Sequence, residues 1–321
     1  MKIDSLIHAS WIIQVDPDNR VLHDHVLAIR DGRILDILPS AEANTKYRAV
    51  VEHHLPEHAL IPGLINAHTH AAMCLLRGLA DDMPLMKWLH QYIWPAESRW
   101  ISEEFVRDGS LLAIAEMLRG GTTCFNDMYF YPEITGRVAA TAGIRATLGL
   151  ILVDFPSAWA QNADEYLRKG IEVHDEFRHH PLIRTAFAPH APYSVSDAPL
   201  ERVRIMTDEL QIPIHMHVHE THDEVLQSLH QYGQRPLERL ADLGLLSPAL
   251  IAVHMTQMLE EEIQDYARSG GHIVHAPESN LKLASGFARI QQKVDAGINV
   301  ALGTDGAASN NDLDMLGEMR T

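Results

Sequence analysis

The chain is poor in cysteine, in basic charge and in long apolar runs, and each shortage narrows what it can be. Its two cysteines, Cys74 and Cys124, lie in apolar or small-residue surroundings and offer no disulfide framework. Against 43 acidic residues stand 26 basic ones, a formal net charge of -17, and no basic stretch runs against that balance. A nucleic-acid partner is therefore not expected. No apolar run approaches the length of a membrane span, and no basic segment leads into an apolar core at the N-terminus. The expectation is a cytoplasmic protein without a membrane partner. Histidine, by contrast, is abundant: 21 residues, nearly as many as Lys and Arg together.

The 321 residues, 46% of them hydrophobic, suffice for one barrel-sized domain and an appendage. Residues 1–59 read as β structure, the N-terminal part of a small sandwich-like domain. In "VLAIR-DG-RILDIL" two apolar, β-branched runs flank Asp31-Gly32, a strong hairpin signal. From residue 60 to 321 short apolar runs alternate with longer amphipathic stretches. The runs are "ALIPGLINAH", "TTCFNDM", "RATLGLIL", "IRTAFAPH", "IPIHMHVHE", "LIAVHM", "HIVHAP" and "INVALGTDG". Strands alternating with helices in this way predict an α/β fold, a (β/α)8 TIM barrel. A doubly wound open sheet is the competitor, but no G-x-G-x-x-G follows the first run.

The strand ends carry the chemistry. His68 and His70 close the first run one residue apart, so they share a strand face. Asp127, His190, His217, His254, His275 and Asp305 stand at the ends of later runs. In a barrel these C-terminal ends converge on one mouth. Three imidazoles, His68, His70 and His217, with the carboxylate of Asp305 would suit a catalytic divalent metal, zinc by donor type, with Fe2+ or Mn2+ compatible. Asp305 also stands where a helix N-cap would, ahead of "GAASNNDLDML". Glu220, close after His217, suits a proton shuttle beside a metal-activated water. His254 reads as a partner that orients that water, with a fifth ligand or a core histidine as alternatives. His215 lies one layer deeper, as a structural or supporting residue, and His219 points away. The fourth run ends without a lysine, so a bridged binuclear centre lacks its bridge and one metal is expected.

This pattern resembles the amidohydrolase superfamily. "PGLINAHTHAAMCLLRGLADDMPLMKWL", "APHAPYSVS", "HMHVHET", "PESNLKLASG" and "GTDGAASNNDLDM" together are similar to its 5-methylthioadenosine/S-adenosylhomocysteine deaminases. The resemblance implies one zinc ion per subunit on His68, His70, His217 and Asp305. It implies Glu220 as the acid/base at the purine ring nitrogen, His254 as the group polarising the attacking water, and Asp305 as the acceptor of that water's proton. Glu97 in "IWPAES" matches a ribose-binding position, His190 a nucleoside contact, and Trp88 an aromatic packed on the ligand. Read without the family, Trp88 could be helix core and Glu97 could cap a helix. The implied reaction converts an adenosine derivative to the inosine analogue and ammonia, in a homo-oligomer. The short cytidine-deaminase pattern with P-C-x-x-C is absent.

Two departures qualify the resemblance. The loop "VDFPSAWAQNADEYL" lacks the arginine that family members often place there, leaving Arg145 or a neighbouring subunit to meet a substrate carboxylate. Methylthioadenosine or adenosine is then favoured over S-adenosylhomocysteine. The chain also stops in "DLDMLGEMRT", early in an eighth helix, where the family continues; a shortened sequence is the expectation, lacking the C-terminal half of the small β domain. The rival readings are a guanine or pterin deaminase or a triazine-type hydrolase on the same metal, and, from another class, an inactive paralogue serving as a binding module.

Overall fold

Five strands build the first unit: β1 (Lys2–Ile13), β2 (Val21–His23), β3 (His25–Arg30), β4 (Arg33–Pro39) and β5 (Arg48–Leu60). The structure is a computed structural model that describes residues 1–15 and 18–321. It divides into two compact units, Met1–Gly63 and Leu64–Thr321. β1 pairs antiparallel with β2 and β3, and parallel with β5. The Asp31-Gly32 hairpin forms as expected between β3 and β4. Both residues are left-handed (φ 51° and 70°), as a type I′ turn demands, and glycine meets that demand without strain. The Asp31 backbone N–H donates to Asp4 Oδ2 at 2.6 Å, fixing the turn. The core of this unit is small: Ile3, Leu6, Val26, Ala28 and Leu38, covered by Ala43 and Tyr47.

The second unit contains β6 (Leu64–Thr69), β7 (Thr122–Tyr129), β8 (Arg145–Leu152) and β9 (Ile183–Pro189). It continues with β10 (Ile214–Val218), β11 (Leu250–His254), β12 (His272–His275) and β13 (Asn299–Leu302). All neighbours pair parallel and in sequence order, the topology of the predicted (β/α)8 barrel. Helices such as Glu103–Arg119, Ala163–Phe177 and His222–Tyr232 connect them, started by Ser102, Asn162 and Thr221, whose side chains accept a backbone N–H of the first turn. Helices cover parallel strands on the outside while the barrel interior covers them within, so β10 is buried at every position. Its histidines must therefore find partners inside the protein.

The seam between β13 and β6 is closed just past the end of β13. Asp305 N–H donates to the His68 carbonyl at 3.0 Å, and Thr69 Oγ1 donates to the Asp305 carbonyl at 2.9 Å. Asn66 adds a reciprocal pair, Nδ2 to Thr304 Oγ1 (2.7 Å) and Thr304 N–H to Oδ1 (3.0 Å). This approach needs Gly303, because a Cβ there would lie 2.6 Å from the His68 nitrogen. The seam draws Asp305 onto the end of β6, beside the histidines.

Candidate metal centre

His68, His70, His217 and Asp305 each offer one ligand atom, and the four atoms lie within 4.8 Å of one another. His68 Nε2 is 3.1 Å from His217 Nε2 and 3.2 Å from Asp305 Oδ1, and His70 Nε2 is 3.1 Å from that same oxygen. Separations of this size would let His68, His70, His217 and Asp305 hold one divalent ion between them. The outward ring nitrogens support the same conclusion. His70 Nδ1–H donates to the Met128 carbonyl, and His217 Nδ1–H donates to the His190 carbonyl at 2.9 Å. Each bond places the proton on Nδ1 and turns the Nε2 lone pair inward. His68 Nδ1 lies 3.0 Å from His215 Nε2, so the deeper histidine supports the ring of the outer one.

Burial lowers the pKa of His68 to about 4 and holds His217 well below its ordinary value, leaving both neutral. Burial also works against a charge on His70, but the adjoining Asp305 carboxylate raises that ring to about 9. Asp305 is held well below the usual carboxylate range: burial opposes this, but the adjacent His68 and His70 rings prevail. Its other oxygen, Oδ2, accepts from Ser279 Oγ at 2.6 Å, and Oδ1 also accepts from the Gly306 N–H at 2.8 Å. The helix N-cap alternative fails, since the next helix starts at Met315 and is capped by Asp314.

Around this cage stand the remaining strand-end residues. Glu220 Oε2 is 3.7 Å from His254 Nε2, and its Oε1 accepts from Ser285 Oγ at 3.3 Å. Burial raises the Glu220 pKa. His254 Nδ1 is 2.8 Å from Asn280 Oδ1. Glu224 grips the backbone beneath Glu220: its two oxygens accept the N–H groups of His219 (2.9 Å) and Glu220 (2.7 Å). His219, His254 and Asp305 have φ of 53°, 73° and 62°. These are uncommon values for residues with side chains, and they cluster at the mouth, where each turns the chain out of its strand. His219 is directed away, its Nε2 accepting the Leu237 N–H at 3.1 Å. Asp127 and His275 are not drawn in. Asp127 Oδ1 accepts the Ala71 N–H at 2.7 Å, and His275 lines none of the cavities at the mouth.

Beside the cage lies a hollow that His70, His217, Glu220, His254 and Asp305 line on one side. Trp88, Leu89, Phe130 and Phe155 make an apolar wall, and Glu97 and His190 reach it as polar groups. Trp88 satisfies both sequence readings: it is buried, with Nε1–H donating to the Ala80 carbonyl at 3.1 Å, and it faces the hollow. Glu97 is no cap; it lies within the helix Trp94–Trp100 and its Oε1 accepts from Tyr129 OH at 2.8 Å. Burial raises its pKa to about 7, against the opposing pull of the Tyr129 hydrogen bond. Burial lowers His190 to about 3, so its ring is neutral. Past Trp94, Phe155 and Tyr193 the hollow continues into a second cavity that Asp154, Ser157 and Gln231 also line. No Arg or Lys lines either cavity among the described residues. Arg145 is exposed at the first residue of β8, and the seven residues to Leu152 put it about 23 Å from the mouth, which removes it as a substrate contact. Tyr129, Ser279, Asn280, Ser285 and Glu224 are contributors that spacing alone does not reveal.

A parallel barrel with a three-histidine, one-aspartate cage at its C-terminal mouth defines a metal-dependent hydrolase class, and comparison agrees: residues 59–321 match the amidohydrolase family, to which the chain belongs. Within that family it groups with the 5-methylthioadenosine/S-adenosylhomocysteine deaminases. The protein of that name from Teredinibacter turnerae is 52% identical over 318 residues, 99% of this chain and 72% of the relative. The one from Saccharophagus degradans is 51% identical, over 99% of this chain and 71% of the relative. Among solved structures, an adenosine deaminase from Xanthomonas campestris with bound zinc superposes with a TM-score of 0.97 at 53% identity, covering 99% of this chain and 73% of that one. An atrazine chlorohydrolase from Arthrobacter aurescens superposes with a TM-score of 0.91 at 23% identity, over 98% of this chain and 75% of that one, a likeness of fold alone.

Proposed function

We propose that the chain hydrolyses the exocyclic amine of an adenosine derivative, giving the inosine analogue and ammonia, with one zinc ion on His68, His70, His217 and Asp305. The observation that carries this reading is the meeting of those four donors beside Glu220, His254 and a hollow walled by Trp88, Leu89, Phe130 and Phe155. The zinc-bound deaminase relative from X. campestris supports the choice of metal. A cation in the cage supplies Lewis acidity and lowers the pKa of water toward about 7. The protein does the rest. Glu220, whose burial favours the protonated acid, donates its proton to the purine N1 as negative charge develops there. His254, held by Asn280, orients the attacking water. Asp305 accepts a proton from the water, and Ser279 fixes the orientation of its carboxylate. The proton held by Asp305 passes to the leaving amine, which departs as ammonia, and the water's other proton returns to Glu220 as the C6 carbonyl forms.

Trp88 packs on the nucleoside, Glu97 accepts the ribose hydroxyls and His190 contacts the nucleoside from the end of β9. The absence of a cation along the lining of either described cavity favours an uncharged substituent, so methylthioadenosine and adenosine are preferred over S-adenosylhomocysteine. The barrel from residue 60 carries the chemistry, and the first 59 residues form a separate β domain. Assembly as a homo-oligomer follows from the family resemblance, and the free Cys74 and Cys124 support a cytoplasmic location. The test is turnover of methylthioadenosine, S-adenosylhomocysteine, adenosine and guanine by zinc-loaded protein, followed by loss of the adenine absorbance and release of ammonia. Turnover of guanine alone supports the base-deaminase rival. Inactivity on all four, with no retained zinc, leaves the scaffold reading.

A further inference from the structure

We propose that the first unit carries its own divalent-metal site, made by His8 of β1 with Glu52 and His54 of β5, which staples these two strands together. The parallel register sets His8 opposite His54, and Glu52 lies two residues before His54, so all three project from one face of the sheet. The imidazoles of His8 and His54 stack with centroids 4.4 Å apart. Glu52 Oε2 reaches both, 3.5 Å from His54 Nε2 and 3.9 Å from His8 Nε2. One ligand atom from each of the three residues falls within 4.8 Å of the others. His8 adds an independent sign: its Nε2 is buried and has no hydrogen-bond partner among the described residues. A buried polar atom without a partner costs free energy, and a coordinated cation removes that cost.

Two imidazoles and a carboxylate are borderline donors and suit zinc, nickel or copper(II) over calcium or magnesium. Stacked rings aim their lone pairs side by side, so binding requires small rotations that bring the two Nε2 atoms together. His54 is 66% exposed at its side chain and free to make that turn, while Glu52 and His54 leave the ion an entry path and room for water ligands. β5 pairs only with β1 among the described residues and is exposed over most of its length. A cation across His8 and His54 adds a side-chain link to the ladder that pairs β1 with β5.

The test is calorimetric titration of zinc chloride into full-length chain already dialysed to one tightly held zinc per molecule. A second equivalent is expected, weaker than the first, and absent in both His8→Ala and His54→Ala. His53→Ala/His58→Ala, which removes other histidines of β5, should keep it. Hydrogen exchange of β5 amides should slow on adding the second equivalent to the native chain and not to His54→Ala. A stoichiometry that stops at one overturns the proposal, as does a second equivalent that survives both ligand variants or disappears with His53 and His58. His54 is exposed, so its removal leaves the fold intact and the readout interpretable.

Discussion

The cage and the hollow beside it are built on opposite principles. Each cage donor sits at or just past the end of a barrel strand, is largely buried, and is fixed by a second hydrogen bond outside the cage. The hollow takes much of its wall from connecting segments: Leu85 to Ile93, Phe155 and Leu283. The first of these includes a wide π-helical turn, Leu89–Ile93, a form that often marks a functional site. Chemistry rests on the rigid scaffold and recognition on the loops it carries. Damage to the cage should therefore abolish turnover of every substrate, whereas damage to the hollow should redistribute turnover among them.

The largest effect is expected at Asp305, whose Oδ1 touches both His68 and His70. Asp305→Ala should lose the metal and fall below detectable activity with all adenosines, as metal analysis and turnover will show. Retained metal and activity would erase the distinction between the two regions. Next comes Glu220→Gln, which removes the proton donor and leaves the donors of the cage in place. It should lower kcat by about 10²- to 10⁴-fold with metal content unchanged. Smaller again is Glu224→Gln, which replaces one of two carboxylate oxygens gripping the His219 and Glu220 amides. A fall in kcat of roughly 10- to 100-fold, with KM and metal content little altered, would show that the carboxylate acts by presenting Glu220. Equal losses in stability and KM would make it a packing residue instead.

The same contrast explains what could be read from the sequence. A barrel strand announces itself by a short apolar run, and the run "RATLGLIL" coincides with β8 residue for residue. The two-residue strand period then picks His68 with His70, and strand-end position adds His217 and Asp305, the four residues that meet in the cage. That logic also promotes Asp127 and His275, because it identifies ends without fixing how each strand is rotated about the barrel. Arg145, a candidate by proximity in sequence, lies at the wrong end of its strand. Ser279, Asn280 and Ser285 occupy the recognisable string "SNLKLASG", yet their hydrogen bonds to Asp305, His254 and Glu220 arise from a helix and loop after β12 with no periodicity to read. Tyr129 is hidden from a sequence reading for a related reason: its partner Glu97 lies 32 residues away on a helix outside the strand pattern.

The smallest expected effect falls on the hollow, and it separates ribose recognition from the chemistry. Glu97 must be ionised to accept two ribose hydroxyls, and burial holds its pKa near 7. Between pH 6 and 8 the ionised fraction of a group titrating at about 7 rises roughly tenfold, and kcat/KM for nucleosides should rise with it. Water activated by a metal titrates in the same range, so the rise alone decides nothing. Tyr129→Phe supplies the discrimination. The Tyr129 hydroxyl donates to Glu97 and favours its charged form, so losing it raises the Glu97 pKa further. The midpoint of the nucleoside profile should then move to higher pH, while the high-pH plateau stays near its original height. Glu97→Gln should remove this component and lower kcat/KM across the range. A midpoint unmoved by Tyr129→Phe would assign the whole rise to the cage and leave Glu97 without the ribose.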